Sequence, residues 1–158
     1  MGCDIHMYVE YKKPNTNGQW ECGELFAMNN SNNADLSVEV DRVPIYRDRN
    51  YALFAVLADV RNNGTYECIA PPRGFPDDAA NFTKEEYKAW EADAHSCSYL
   101  TLAELRAHHF RVNPADCFGN DILAPLTEAL LRRASDLDYC RWYNIKLDGI
   151  RIVFWFDN

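Results

Sequence analysis

The last stretch of the chain, Ile150 to Phe156, does most to limit the fold. Ile150, Ile152, Phe154 and Phe156 alternate with Arg151, Val153 and Trp155, so a strand built from it is apolar on nearly both faces. A strand of that kind belongs in the middle of a sheet, covered on both sides. Asp148-Gly149, two residue types that accept the positive φ of a type I′ turn, stands just before it, and Trp142 to Leu147 is the expected hairpin partner.

A second strand is expected at residues 3 to 11, where Cys3, Ile5, Met7, Val9 and Tyr11 fall on one face and Asp4, His6, Tyr8 and Glu10 on the other. Asn17-Gly18 marks a hairpin turn, with Trp20 to Met28 returning along the first strand. Leu36, Val38 and Val40 alternate as an edge strand within residues 35 to 46, which Pro44 stops, and Asn29 to Asn33 reads as a loop. Leu53, Phe54, Leu57 and Val60 form a helical stripe, with Asp48 as the expected cap and Asn63-Gly64 as the stop. Thr83 with Glu86 and Thr101 with Glu104 have capping-box spacing, which predicts two further helix starts. A longer helix is expected from about Asp121 to Leu137 on Leu123, Leu126, Leu130 and Leu131. The expected fold class is α+β. One domain spans residues 1–158, with an antiparallel sheet built from N- and C-terminal hairpins and three to four helices packed on one face. A chain of this length can bury roughly 68–70% of its unfolded surface.

Sixteen Lys and Arg against 24 Asp and Glu give a net charge of −8. That balance argues against a protein that coats nucleic acid, because such affinity comes from cations displacing counterions. The chain has neither a charged leader with an apolar segment nor a run of 18 apolar residues, so a cytoplasmic protein with no membrane span is expected. None of the six cysteines forms a CxxC pair, and in a reducing compartment they are expected as small buried hydrophobes. No P-loop, Gly-x-Gly-x-x-Gly or Gly-x-Ser-x-Gly motif occurs.

Four constellations carry chemistry. Asp4-x-His6 points a carboxylate and an imidazole to one face, as a metal site or an organic ligand would use them and as a plain solvated face also would. Asp93-x-His95 repeats the pair in an expected loop beside Ser96. Meeting the first pair, it would complete a divalent-metal site of Asp4, His6, Asp93 and His95; alone, it is a helix end favoured by the dipole. In Pro71-Pro72-Arg73-Gly74-Phe75-Pro76-Asp77-Asp78, three prolines stiffen a loop that holds Arg73 for an oxyanion and Phe75 for a stacked ring. The alternative there is a surface pair of Arg73 with Asp77 or Asp78. Arg47 and Arg49 flank a helix entrance suited to an anion, with Asp48 competing for the same place.

Met1-Gly2-Cys3-Asp4-Ile5-His6, then Arg49-Asn50-Tyr51-x-Leu53-Phe54-Ala55 with Ala58-Asp59-Val60-Arg61-Asn62, then Pro72-Arg73-Gly74-x-Pro76-Asp77-Asp78, and finally His95-Ser96-x-Ser98-Tyr99-Leu100, run in order over most of the chain. Together they resemble a group of small uncharacterised proteins of bacteriophages and prophage-bearing bacteria. That family often has His where this chain has Cys97. The resemblance implies a small accessory protein of phage biology, of a kind that often acts on host defence, working in the cytoplasm of the bacterial host. Two function classes follow. In one, Asp4, His6, Arg47, Arg73, Phe75, His95 and Ser96 bind a nucleotide-like anionic molecule without turning it over. In the other, the Asp/His set holds a divalent metal that hydrolyses a phosphoester. An acidic decoy of a host protein ranks third, and a homo-oligomer is left open.

Overall fold

The computed structural model describes residues 2–14, 17–28, 39–112, 122–141 and 144–157. The expected loop at Asn29 to Asn33, Leu36 and Val38 of the expected edge strand, Cys117, Asp121 and Trp142 lie outside them. The alternating N-terminal segment forms β1 (Asp4–Lys12) and the segment that closes the chain forms β6 (Ile150–Asp157). These two pair antiparallel along most of their length, from Asp4↔Asp157 to Tyr11↔Ile150. β6 is central, as its two apolar faces require, in the order β2-β1-β6-β5, where β2 is Trp20–Cys22 and β5 is His95–Thr101.

Two expected pairings differ. The closing hairpin does not form. Residues 144–147 are not a strand, and the Asp148-Gly149 turn is tied to distant backbone through Lys12 N–H to the Gly149 carbonyl (2.8 Å) and Ala103 N–H to that of Leu147 (3.1 Å). The second neighbour of β6 is β5, where the sequence suggested a loop around Asp93 and His95. The N-terminal hairpin forms only from Glu10 to Lys12 before the chain leaves the sheet at Gly23. A Cβ at Gly23 would meet Val9 at 3.1 Å and Leu137 at 3.3 Å, so a side chain at the exit would have to push both neighbours back by a few tenths of an ångström. Beyond it, side chains replace the ladder: the Glu24 carboxylate accepts from Val9 N–H (3.3 Å) and Arg42 donates to the Met7 carbonyl (2.8 Å). β3 (Leu25–Met28) instead pairs with β4 (Glu39–Arg42) as a separate two-stranded ribbon.

The helices are α1 (Tyr51–Ala58), α2 (Asn81–Trp90), α3 (Leu102–Val112) and α4 (Ala124–Arg141). Three of them, α1, α3 and α4, pack on one face of the sheet, where Leu53, Phe54, Leu57, Leu105, Leu126 and Leu130 share a core with Met7, Val9, Ile152, Phe154 and Phe156. Burial of this core is the main stabilising term, at roughly 25 cal/mol per Å² of apolar surface removed from water. The fourth, α2, covers the opposite face: Tyr8 donates to Glu86 (2.9 Å), and Tyr87 and Trp90 lie against Trp155 and His6.

Caps follow local chemistry with two exceptions. Asn50, not Asp48, caps α1 by accepting from Leu53 N–H (3.1 Å), and the helix ends at Asp59, well before Asn63-Gly64. Thr83 and Glu86 form no box, because α2 begins earlier, where buried Glu10 accepts from Ala80 N–H (2.7 Å), so its N-terminus rests on a carboxylate supplied by the sheet. The Thr101–Glu104 box forms as expected, with Thr101 N–H to the Glu104 carboxylate at 2.8 Å and Glu104 N–H to the Thr101 hydroxyl at 3.2 Å. Thr101→Ala is expected to destabilise the protein by about 1 kcal/mol in urea denaturation with an unchanged slope. Among the described residues, no helix is long and apolar enough to cross a membrane.

Candidate functional site

The seven residues expected to line one pocket are distributed over several places. Asp4 is taken by a bidentate surface pair with Arg49 (2.7 and 2.6 Å). His6 lies between Trp90 and Trp155, its Nε2 3.1 Å from the Asp157 carboxylate. Burial acts to raise the Asp157 carboxyl, but hydrogen bonds from His6 and the Asp4 N–H hold it below the ordinary value. Arg73 pairs with Glu104 (2.5 Å), not with Asp77 or Asp78, and also donates to the Tyr99 carbonyl (3.0 Å). Phe75 stacks on Tyr87 with ring centres 4.1 Å apart.

The stiff loop owes its proline and glycine content to a structural task. Gly74 N–H bonds the Cys97 carbonyl (2.8 Å) and Arg73 N–H the Ser98 hydroxyl (3.2 Å), so the loop seals the outer edge of β5. Gly74 adopts φ +85°, which a side chain would oppose.

The four-residue metal set does not assemble. His95 is opposite Phe156, and Phe156 is opposite Ile5, so the three share the face of the main core; His6, one residue on, points to the other face. The sheet therefore lies between the two imidazoles. Among the described residues, no group of three or more His, Cys, Asp or Glu side chains is placed to hold a metal ion.

His95 and Ser96 instead join residues of another motif. They line a cavity of about 470 Å³ with Asp59 and Arg61, just past the end of α1, and with Pro72. Asp59 (φ 58°), Arg61 (φ 52°) and Ser96 (φ 49°) all have left-handed backbone, and they are three of the five non-glycine residues with positive φ among those described. L-residues occupy that region at about 1–2 kcal/mol each. Each has a local device that holds it. Asp59 is the αL cap of α1, its N–H bonding the Ala55 carbonyl (2.9 Å). Asn62 fixes the turn that carries Arg61: its amide donates to Asp59 and to the Tyr66 carbonyl (both 2.7 Å), and its oxygen accepts from the N–H groups of Thr65 and Tyr66 (both 3.1 Å). Ser96 lies in the irregular stretch of β5 between His95 and Ser98, and bulges of this kind redirect side chains beside functional sites.

The cavity brings together opposite charges, Asp59 and Arg61. The Arg61 guanidinium lies over the Tyr51 ring, 5.1 Å from its centre. The Ser96 hydroxyl is 3.1 Å from Nδ1 of His95, whose Nε2 is buried without a partner. Sequence reading missed Asp59 as a site residue because the helical stripe continued through Val60 and hid the early stop. The only local hint was an Asp where a left-handed cap was needed. Comparison with protein-family models, with curated proteins and with solved structures finds no match.

Proposed function

We propose that the cavity between the end of α1 and the His95–Ser96 bulge binds a small, nucleotide-like anionic molecule, and that the protein acts by holding it. The observation that carries this reading is the convergence of left-handed Asp59, Arg61 and Ser96 on one cavity, since strain kept at neighbouring positions is characteristic of ligand sites. The volume of about 470 Å³ falls within the roughly 300–1,000 Å³ typical of small-molecule sites. A guanidinium for an oxyanion and a carboxylate for an exocyclic amine stand together, the complement of the phosphate acceptors and amine donor a nucleotide presents. The resemblance to phage and prophage proteins gives such binding a purpose, the sequestration of a defence signal in the host cytoplasm.

Mass spectrometry of whatever the purified protein releases on denaturation tests the reading, together with melting curves against a panel of mono- and dinucleotides. An intact nucleotide, or a rise of several degrees at ligand concentrations about a hundred times the dissociation constant, is the expected result. Conversion of the added nucleotide to a product would replace holding by catalysis. The absence of any shift up to millimolar concentration would remove the proposal.

A further inference from the structure

The early departure of the chain at Gly23 leaves a stretch of the β1 edge without a strand beside it. β2 covers only Glu10 to Lys12, and along Ile5 to Tyr8 the neighbouring chain is the irregular segment 42–47. Backbone groups on an antiparallel strand alternate in direction, and the Met7 carbonyl faces outward to Arg42, so the Met7 N–H faces the same gap. The gap is a cavity of about 160 Å³. At roughly 30 Å³ per water, it has room for a tetrahedral oxyanion and one or two waters but not for a nucleoside.

Besides the Met7 carbonyl, which Arg42 already occupies, its walls carry donors and cations. Arg42, stacked on Tyr8 at 4.0 Å, uses its Nε on Glu24 (2.7 Å) and Nη2 on Met7, and a guanidinium has further N–H groups to give. Arg47 is exposed at the rim, and no carboxylate lines the cavity. The Tyr46 hydroxyl is buried and makes no hydrogen bond. Burial and the nearby Asp48 charge both raise its pKa, so it remains an O–H donor. Glu24 is engaged by Arg42 and Asp157 by His6, while Asp48, whose charge reaches the Tyr46 hydroxyl, does not line the cavity. In a chain of net charge −8, two arginines and two further donors around one small space, whose Met7 carbonyl is already engaged by Arg42, call for an explanation.

We propose that this cavity is a phosphate site, in which Arg47, Arg42, the Tyr46 hydroxyl and the Met7 N–H receive inorganic phosphate or the terminal phosphate of a phosphomonoester. The site is separate from the one at Asp59 and Arg61 and stands or falls independently of it. Titration with inorganic phosphate at low salt, followed by the chemical shifts of the Met7 and Tyr46 amides, is the test; glycerol phosphate and acetate form the other arms. Phosphate is expected to shift both amides saturably, and acetate far less. Arg47→Ala is expected to weaken binding about 10- to 100-fold, as loss of a charge-assisted hydrogen bond does, and Tyr46→Phe, which preserves the ring packing, about 2- to 10-fold. Preference for glycerol phosphate over inorganic phosphate assigns the site to phosphomonoesters, and the reverse assigns it to the free ion. Undiminished binding in both Arg47→Ala and Tyr46→Phe, or no saturable shift at tens of millimolar phosphate, would overturn the proposal.

Discussion

Arg151→Met is expected to destabilise the protein by about 3–5 kcal/mol, because it strips the partner from a fully buried carboxylate. Glu10 and Arg151 are opposite each other on β1 and β6 and almost wholly enclosed, with Arg151 Nε and Nη2 at 2.8 and 2.7 Å from the Glu10 carboxylate. The second Glu10 oxygen holds Ala80 N–H, and Arg151 reaches on to Asp78 (2.9 Å), which also accepts from the Trp20 indole (3.0 Å). The network therefore ties the start of α2 and the loop before it to the sheet. Without its cation, Glu10 must be protonated or draw in water, and either change loosens that tie. Guanidinium denaturation should show the loss, with a fall in melting temperature of roughly 6–20 °C for a chain of this size. The double variant Glu10→Met with Arg151→Met is expected to recover most of the stability, since the penalty lies in the orphaned charge more than in the lost pair. A loss below 1 kcal/mol in the single variant would show that the carboxylate is not enclosed as described.

Trp155→Ala is expected to cost a similar 3–5 kcal/mol through the cavity it leaves. Trp155 is the hub of the α2 face, stacked on Tyr8 (5.1 Å) and His6 (5.7 Å) and touched edge-on by Tyr87 (5.2 Å) and Phe75 (6.2 Å). Its indole N–H is buried with no acceptor, so Trp155→Phe removes an unsatisfied donor along with the volume and should cost clearly less. Equal losses in the two variants, measured by urea denaturation, would contradict this ordering.

The legible parts of the fold were those whose signal is local. Strict alternation identified β1, apolarity on both faces placed β6 at the centre, and the Thr101–Glu104 box set the start of α3. What failed depended on partners distant in sequence. Trp20 to Met28 could not show that a Glu24–Arg42 pair would replace its second half along β1. His95 to Thr101 has no alternating apolar pattern, because its outer edge is covered by a loop and its irregular register breaks the period. The candidate site followed the same rule. Arg73 and Phe75 looked functional because proline and glycine fix them, and that rigidity is used for sealing a strand edge. Among the expected ligand residues, His95 and Ser96 reach the cavity of about 470 Å³ and Arg47 and His6 that of about 160 Å³.

The central claim concerns the cavity at Asp59, Arg61, His95 and Ser96. Its most direct test is calorimetric titration of the native protein, Arg61→Ala and Arg73→Ala with the nucleotide that raises the melting temperature most. Loss of affinity by about 10- to 100-fold in Arg61→Ala is expected, as for removal of a charge-assisted hydrogen bond, with Arg73→Ala unchanged because that guanidinium is engaged by Glu104. Affinity retained in Arg61→Ala and lost in Arg73→Ala would place the ligand at the proline-rich loop and contradict the account.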